Sequence, residues 1–216
     1  QIGQTWLGYR DMFVAPIRSY VAQAIIVQQH YLHRRASCII ALGLIDGLSV
    51  VGVVMFGSPV SSTLCRGICG AEHYNEVCEL TRLWLDDRLP KGTASWFVSR
   101  ALRWVPKPIV VAYADPSAGH HGGVYQALNF LYTGLGPQRS RWMDPLSPGK
   151  HTHRGGTQHR TYAQIRAEGK LVYVPAIRKH RYVLFCGPTR RKLRAALRYP
   201  ILPYPKPGWD LTGMVQ

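Results

Sequence analysis

The stretch 79–113 limits the fold of this chain more than any other part of the sequence. Glu79–Leu85 is rich in β-forming residues and predicts a strand. From Thr93 onward, apolar residues recur at helical spacing until two prolines end the helix. Ile109–Tyr113 is then a short, continuously apolar run typical of a buried parallel strand. Strand, loop, helix and strand form a βαβ unit, so we predict an α/β fold with a mixed central sheet flanked by helices.

The loop between this strand and this helix has the features of an anion site. A helix N-terminus presents N–H groups without helical partners and the positive end of the helix dipole, and both favour phosphate. Gly92 lets the backbone approach a ligand closely, Lys91 adds a positive charge, and Thr93 is predicted to cap the helix. Phosphate binding and an ordinary loop that contains a glycine are both compatible with these residues.

Further segments add strands and helices to the same core. Asp46-Gly47 lies between the apolar runs 38–44 and 48–56, and an Asp-Gly pair in that position predicts a β-hairpin. Helices are expected at 19–29 and at 121–130. These elements extend the sheet of the βαβ unit and place helices on both of its faces.

The last third of the chain changes in composition. Residues 137–170 are rich in Arg, His, Gly and Pro and have little apolar periodicity, which predicts a basic insertion. Two apolar runs, 171–175 and 181–186, predict a C-terminal β-hairpin extension. We therefore divide the chain into a core with a donor site at 1–136, the insertion, and a C-terminal part at 171–216 that completes the domain.

The charge of the chain predicts a polyanionic partner. The formal net charge is +16, and most of the excess is C-terminal: residues 1–136 contain 11 Lys and Arg against 8 Asp and Glu, whereas residues 137–216 contain 16 against 3. Tyr, Trp and His are interleaved with these charges, which favours a nucleic acid over an anionic membrane or an acidic protein. Contacts to phosphate do not depend on base sequence and should weaken steeply with salt. The candidate contacts are Arg139, Arg141, Lys150, Arg154, Arg160, Arg178, Lys179, His180, Arg181, Arg190, Arg191 and Lys192.

Cysteine usage and hydropathy argue against a disulfide-stabilised protein and against a membrane protein. The five cysteines are scattered, which favours buried thiols over a disulfide framework or a metal cluster. No apolar run reaches 18 residues and the first residues lack a signal pattern, so we expect a soluble, cytoplasmic protein without a membrane partner.

Val124–Phe130 resembles the Tyr- and Phe-containing helix end of the GNAT acyltransferase superfamily, and Gly92-Thr93-Ala94 fits the glycine turn of that superfamily. The resemblance implies that the protein binds acetyl-CoA or a related small-molecule donor. It also implies that Tyr125 protonates the leaving thiolate of coenzyme A. The donor-binding residues would be Leu85, Lys91, Gly92, Thr93, Ala94 and Ser95.

A narrower resemblance covers most of the chain, from about His30 to Lys206. The strings ELTRLWLDD, VVAYAD, GHHGGVYQALNFLYTGL, RKHRYVLFCG and LRYPILPYPK occur in this order from position 79 to position 206 and are similar to the Mom family of phage DNA-modification proteins. The resemblance implies that a carbamoylmethyl group is attached to the exocyclic N6 of adenine in double-stranded DNA, which protects phage DNA from restriction in the host cytoplasm. The target adenine would be flipped out of the duplex.

Four residues are candidates for catalysis: Tyr31, Glu79, Asp115 and Tyr125. Tyr31 belongs to a His-Tyr string that Mom-like proteins also carry. Glu79 is a candidate base, and strand alternation is expected to place it on the opposite face from Arg82. Asp115 follows a strand that ends at the ligand-binding edge of an α/β sheet, although capping of the next helix is an equal alternative.

An iron site is a further hypothesis. His30, Asp115 and His121 could supply the two imidazoles and one carboxylate that non-haem iron prefers. Joining an amine to a CH2 group is not ordinary acetyl transfer, so iron-assisted chemistry or a different donor is required. The resemblance itself includes iron.

Two other functions stay open. One is a conventional acetyl-CoA-dependent N-acetyltransferase that acts on an amine of RNA or protein, and the other is a non-catalytic DNA-binding protein with a GNAT-like fold. The oligomeric state is equally open, with a homodimer as one alternative.

Overall fold

The computed structural model describes residues 12–59, 61–137, 139–143, 164, 167–169 and 172–206, with the backbone alone for 139–143 and 172–175. The strands are β1 (Met12–Pro16), β2 (Ile40–Asp46), β3 (Ser49–Gly57), β4 (Val77–Leu85), β5 (Ile109–Ala114), β6 (Leu131–Leu135), β7 (Arg139–Met143), β8 (Val172–Ala176) and β9 (His180–Phe185). The α-helices are α1 (Ser19–Gln29), α2 (Ser62–Cys69), α3 (Thr93–Ala101), α4 (Gly123–Ala127) and α5 (Arg190–Ala195). Short 3₁₀ turns cover Ala71–Glu76, Leu102–Trp104 and Pro116–Ala118.

Seven strands form one mixed sheet in the order β1-β2-β3-β4-β5-β9-β6. Only β4 and β5 pair in parallel within this sheet, and their pairing joins Val77–Leu80 to Ile109–Ala112. Beyond these pairs β4 continues to Leu85 and β5 to Ala114 without pairing to each other. A gap therefore opens between the carboxyl ends of the two parallel strands, where ligands of α/β sheets bind.

Both faces of the sheet are covered, as the apolar runs of β3 and β5 require. On one face, Phe97 and Val98 of α3 pack with strand residues in the largest core cluster. On the other face, Ile26 of α1 packs against β2 and β3. There too, Ile68 of α2 and Leu193 of α5 pack against β5 and β9.

The predicted βαβ unit, the helix at 19–29 and the hairpin of β2 and β3 are confirmed. Helix α4 is shorter than the predicted helix at 121–130. Its N-cap, Gly122, has a φ of +83°, and Asn129 after it has a φ of +58°. Because right-handed helix requires negative φ, these two residues limit the helix from both sides.

The predicted C-terminal β-hairpin is wrong. β8 pairs with β7 in a separate two-stranded ribbon, and β9 lies between β5 and β6 in the main sheet. Five of the six residues of β9 are buried, so this apolar run fits a central strand with both faces covered rather than an exposed extension.

Among the described residues, no helix is both long enough and apolar enough to cross a membrane.

Candidate active site

A cavity of about 1000 Å³ occupies the gap between the carboxyl ends of β4 and β5. Its walls come from the segment 30–37 after α1, residues 79–83 of β4, the end of β5, and the glycine-rich segment 119–126. Residues 136–137 and 176–179 at the base of the β7–β8 ribbon close the remaining side. This volume lies at the upper end of the range of about 300–1000 Å³ that is usual for small-molecule sites.

An irregularity in β4 brings two functional side chains to this cavity. The pairing of β4 with β3 shifts between Leu80 and Arg82, so Thr81 is an extra residue on β4, as in a β-bulge. Strict alternation therefore fails here, and Glu79 and Arg82 both line the cavity instead of lying on opposite faces. The expected separation of these two residues is wrong for that reason.

Arg82 anchors the segment that follows α1. Its Nε donates to the carbonyl oxygen of Arg34 at 3.4 Å, and one terminal nitrogen donates to that of Arg35 at 3.3 Å. The other terminal nitrogen donates to the carbonyl oxygen of Thr81 at 2.6 Å. Burial and the nearby charge of Arg34 lower the pKa of the Arg82 guanidinium. One side chain thus ties the bulge of β4 to the wall formed by residues 30–37.

His30 is a buried, neutral imidazole. It is 6% exposed, and its Nδ1 accepts a hydrogen bond from the backbone N–H of Leu32 at 3.1 Å. Burial, followed by the positive charge of Arg82, lowers the pKa of His30 to about 4. A neutral ring whose Nδ1 accepts a hydrogen bond carries its proton on Nε2, so His30 is a donor at that atom.

We expect this buried histidine to make folding sensitive to mild acid. The pKa of His30 is lower in the folded than in the unfolded protein, so stability is complete above about pH 6.5 and is lost as the pH falls towards 4. The loss amounts to at most about 3 kcal/mol. Urea unfolding at pH values from 7 to 4 should show that the free energy of unfolding changes less steeply with pH in His30→Asn than in wild type. The reason is that Asn accepts the Leu32 hydrogen bond without titrating. His33→Asn, at an exposed position, should keep the wild-type slope; an unchanged slope in His30→Asn would contradict this account.

Asp115 lies at the end of β5 with both carboxylate oxygens engaged. Oδ1 accepts hydrogen bonds from the backbone N–H and the hydroxyl of Ser117, and Oδ2 lies 2.8 Å from Nζ of Lys179. Burial alone would raise the pKa of Asp115, but Lys179 and Ser117 outweigh it and hold the pKa below its usual value. Asp115 therefore caps the 3₁₀ turn after β5 and also presents a stable negative charge to the cavity.

Tyr125 lines the cavity from α4. Its ring lies 5.4 Å from the rings of Phe130 and Tyr182 and is 9% exposed. Burial raises the pKa of the Tyr125 hydroxyl well above its usual value. The hydroxyl stays protonated at neutral pH, which is the state that a proton donor needs.

The three predicted iron ligands line the same cavity but do not form the predicted site. No group of three or more His, Cys, Asp or Glu side chains within the described ranges is arranged to hold a metal ion. His30 uses the Nδ1 lone pair for a backbone hydrogen bond, and both oxygens of Asp115 are engaged by Ser117 and Lys179. The ring of His121 lies 6.5 Å from that of His180. These side chains do not fit iron.

The predicted donor-binding residues lie at the start of α3, beyond the cavity lining. Gly92 is the N-cap, with a φ of +89° that favours glycine. Thr93 does not cap the helix as predicted, because its hydroxyl donates to the carbonyl oxygen of Pro90 at 2.7 Å. Leu83 is the last residue of β4 that lines the cavity, so a donor in the cavity would have to extend beyond it to contact Leu85 and residues 91–95. These contacts stay a prediction.

Several predicted DNA contacts have other roles in the fold. Arg181 is 8% exposed, donates to the hydroxyl and carbonyl oxygens of Thr133, and lies over the ring of Tyr199. His180 is 2% exposed and bonds the Tyr132 hydroxyl through Nδ1. Neither can reach a DNA phosphate, so these two predictions are wrong: the burial of β9 encloses both side chains.

The other predicted DNA contacts fall into four groups. Arg178 donates from Nε to the carbonyl oxygen of Gly136 at 2.8 Å, which joins the two ends of the β7–β8 ribbon, and Lys179 pairs with Asp115. On α5, three exposed residues are available for DNA: Arg190, Arg191 and Lys192. Arg139 and Arg141 lie on β7, where the backbone alone is described. Lys150, Arg154 and Arg160 lie outside the described residues.

Several polar and distant cavity residues were not predicted, among them Arg34, Arg35, Gln126 and Pro205. Arg34 and Arg35 line the cavity next to Tyr31, and the basic pair after the His-Tyr string was the available signal. Gln126 donates to the carbonyl oxygens of His121 and Pro205 and to the Tyr182 hydroxyl. Pro205 also lines the cavity, and no local pattern predicts a contact between residues so far apart in sequence.

Comparison with known proteins identifies the family. The sequence model of the Mom protein family matches residues 11–206. The chain belongs to the Mom protein family. It is 28% identical over 210 residues to "Methylcarbamoylase mom" of Escherichia phage Mu, and the match covers 92% of this chain and 86% of that protein.

The solved structures to which this chain is similar include two acetyltransferases. Arabidopsis thaliana NAA60 in complex with acetyl-CoA has a TM-score of 0.48 at 12% identity, and the match covers 81% of this chain and 98% of that one. The putative acetyltransferase yncA from Salmonella typhimurium, solved with acetyl-CoA, has a TM-score of 0.46 at 12% identity, and the match covers 82% of this chain and 95% of that one.

Proposed function

We propose that this Mom family member is a phage DNA-modifying transferase that attaches a carbamoylmethyl group to N6 of adenine in double-stranded DNA. The family membership and the name of the phage Mu relative support this reaction class. The modification would protect phage DNA from restriction in the host cytoplasm. The net charge of +16 supports a nucleic acid as the substrate.

One structural observation carries the proposal: the cavity lies at the base of the basic segment. The segment 137–170 contains seven Lys and Arg against two Asp and Glu. Gly136 and Pro137 at its start, and Ala176, Ile177 and Lys179 after it, line the cavity. In this proposal a duplex that binds to the basic segment reaches the two carboxylates of the cavity, Glu79 and Asp115.

The cavity residues suit alkylation of an amine. The adenine N6 must lose a proton when it gains a carbon substituent, and a carboxylate in the cavity is the natural acceptor. Asp115 is a weak base because its pKa is lowered, which leaves Glu79 on β4 as the better candidate for the proton acceptor. Asp115 then stabilises positive charge as it develops on the amine. Tyr125, which stays protonated, supplies the proton for a leaving group.

The donor of this proposal is acetyl-CoA or a related small molecule, and the displacement step balances for a related donor that already carries a leaving group on its CH2 carbon: N6 forms the new N–C bond, the bond from CH2 to the leaving group breaks, Glu79 takes the N6 proton and Tyr125 protonates the leaving group. The methyl carbon of acetyl-CoA itself carries no such leaving group. The turn at Gly92 and the N-terminus of α3 suit a phosphate-containing tail, and α3 directly follows the strand that forms the cavity wall. A carbamoylmethyl group contains a nitrogen that acetyl lacks, so the donor or a second small molecule must supply it. The 1000 Å³ cavity offers room for a reactive donor end together with a flipped base.

Mass spectrometry of nucleosides tests the function. Plasmid DNA from cells that express the wild-type chain should contain deoxyadenosine with the mass gain of one carbamoylmethyl group. Asp115→Ala should abolish this species, since it removes the cavity-lining charge that stabilises the reacting amine in this proposal. Unmodified DNA together with an acetylated amine in RNA or protein would favour the conventional acetyltransferase. Absence of both products would favour a DNA-binding protein without activity.

A further inference from the structure

An aromatic pair at the cavity has one buried member and one exposed member. The rings of His30 and Tyr31 are stacked, with centroids 4.4 Å apart and an angle of 27° between their planes. His30 is 6% exposed, whereas Tyr31 is 49% exposed. His30 stacks on one face of the Tyr31 ring and about half of Tyr31 remains exposed, so a further ring would have to stack on the face away from His30.

The surroundings of Tyr31 are those of the reacting end of the cavity. His120 meets the Tyr31 ring edge-on at 5.5 Å. Burial, and after it the charge of Asp115, raises the pKa of the Tyr31 hydroxyl, which places the ring within electrostatic reach of that carboxylate. The Tyr31 hydroxyl is protonated at neutral pH and is a poor proton acceptor, and the stacked, half-exposed ring is a second feature of Tyr31.

Cations lie around the same surface. Arg34 and Arg35 follow Tyr31 along the cavity lining, and Lys179 lines the same cavity beside Asp115. Arg82 holds the backbone of the arginine pair in place. A flat apolar face with guanidinium groups beside it matches a nucleotide, whose base stacks on aromatic rings while its phosphate pairs with Arg. A protein amine would gain nothing from such a surface.

We propose that the exposed face of Tyr31 is the stacking platform for the purine base that is flipped out of the duplex. In this assignment the ring of Tyr31, and not its hydroxyl group, binds the substrate. His30 backs the platform, and Arg34 and Arg35 contact the phosphates that flank the flipped nucleotide. The inference rests on the proposed DNA modification and adds the residue that receives the base.

Two substitutions separate ring from hydroxyl. Tyr31→Phe keeps the platform, so the fraction of modified deoxyadenosine in co-expressed DNA should stay within about threefold of wild type. Tyr31→Leu removes the platform, and the loss of stacking should reduce modification about 10- to 100-fold. Tyr20→Leu, at an exposed tyrosine of α1 outside the cavity lining, is the matched control and should leave modification unchanged.

A binding measurement tests the stacking directly. A duplex with a sequence that the wild-type chain modifies in cells carries 2-aminopurine at the modified position. When the duplex binds to wild type or to Tyr31→Phe, the 2-aminopurine fluorescence should be quenched to the same extent, because the flipped base stacks on an aromatic ring. When the duplex binds to Tyr31→Leu, the emission should be brighter, because this ring is missing. Thermal unfolding of all three proteins at the same temperature would exclude a folding defect as the cause.

The outcomes distinguish this inference from the function on which it rests. If wild type modifies adenine but Tyr31→Phe is as inactive as Tyr31→Leu, the hydroxyl group is required and the platform is refuted, while the DNA-modifying function stands. Full activity of Tyr31→Leu would also refute it. If wild type leaves adenine unmodified, the proposed function fails and the platform fails with it.

Discussion

Gly122→Ala should lower the free energy of unfolding by about 2–6 kcal/mol. Gly122 has a φ of +83°, which costs a residue with a side chain about 1–3 kcal/mol. A Cβ at this position would also lie 2.4 Å from a ring carbon of Tyr182, which is fully buried. Overpacking of this kind adds about 1–3 kcal/mol. The total of about 2–6 kcal/mol is a large part of the 5–15 kcal/mol that stabilises an ordinary domain.

Tyr182 cannot move aside without breaking other contacts. Its hydroxyl donates to the carbonyl oxygen of His121 and accepts from the side chain of Gln126. The same substitution should therefore displace the segment 119–126 and Tyr125 with it. We expect the protein that remains folded to lose modification activity in the nucleoside assay.

Two neighbouring glycines provide matched controls. Gly119 also has a positive φ, +73°, but a Cβ there would meet no atom within 4 Å, so Gly119→Ala should show the backbone cost alone. Gly123 begins α4 and offers open space without a positive φ, so Gly123→Ala should be neutral or slightly stabilising. Urea unfolding of the three variants should give a much lower free energy of unfolding for Gly122→Ala than for Gly119→Ala. Equal losses for these two would show that the contact with Tyr182 does not matter.

Local patterns were sufficient for the centre of the fold. The strand, glycine turn, helix and strand between 77 and 114 were predicted because apolar spacing and proline boundaries act within a few residues. The same holds for α1, whose predicted bounds agree with the structure. Asp115 was placed at the ligand edge by the rule that parallel strands present their carboxyl ends there, and it lines the cavity.

Features that depend on distant contacts were not predictable in this way. The position of β9 between β5 and β6 is decided by burial on both faces, and a hydrophobic run does not specify its partners. For the same reason Arg181 and His180 looked like surface cations, although β9 encloses them. The bulge at Thr81 changes which side chains share a face, and nothing in the sequence ELTRLWL marks it. Several predicted site residues therefore line one cavity, whereas predictions that depended on the face or the burial of a side chain were wrong.

Arg82→Ala should reduce DNA modification at least 100-fold. The guanidinium makes hydrogen bonds to three backbone carbonyl oxygens, those of Thr81, Arg34 and Arg35. Hydrogen bonds to charged groups contribute about 1.5–3 kcal/mol each, and alanine leaves the three acceptors without this donor. The wall that carries Tyr31 and the arginine pair would shift relative to Glu79. A displacement of about 1 Å at a reacting centre costs about 100-fold in rate.

Limited proteolysis measures whether this wall is released. Trypsin cleaves after arginine, and the two carbonyl groups that Arg82 holds belong to the peptide bonds after Arg34 and Arg35. Cleavage at these bonds should accelerate in Arg82→Ala and remain faster than wild type in Arg82→Lys, because lysine restores the charge but not the planar fork. Arg88→Ala is the control: its ion pair with Asp86 is exposed, and neither cleavage at 34–35 nor modification should change. Unchanged cleavage in Arg82→Ala would show that other contacts hold the wall, and loss of modification in that variant would then reflect a direct role of the Arg82 charge in the cavity.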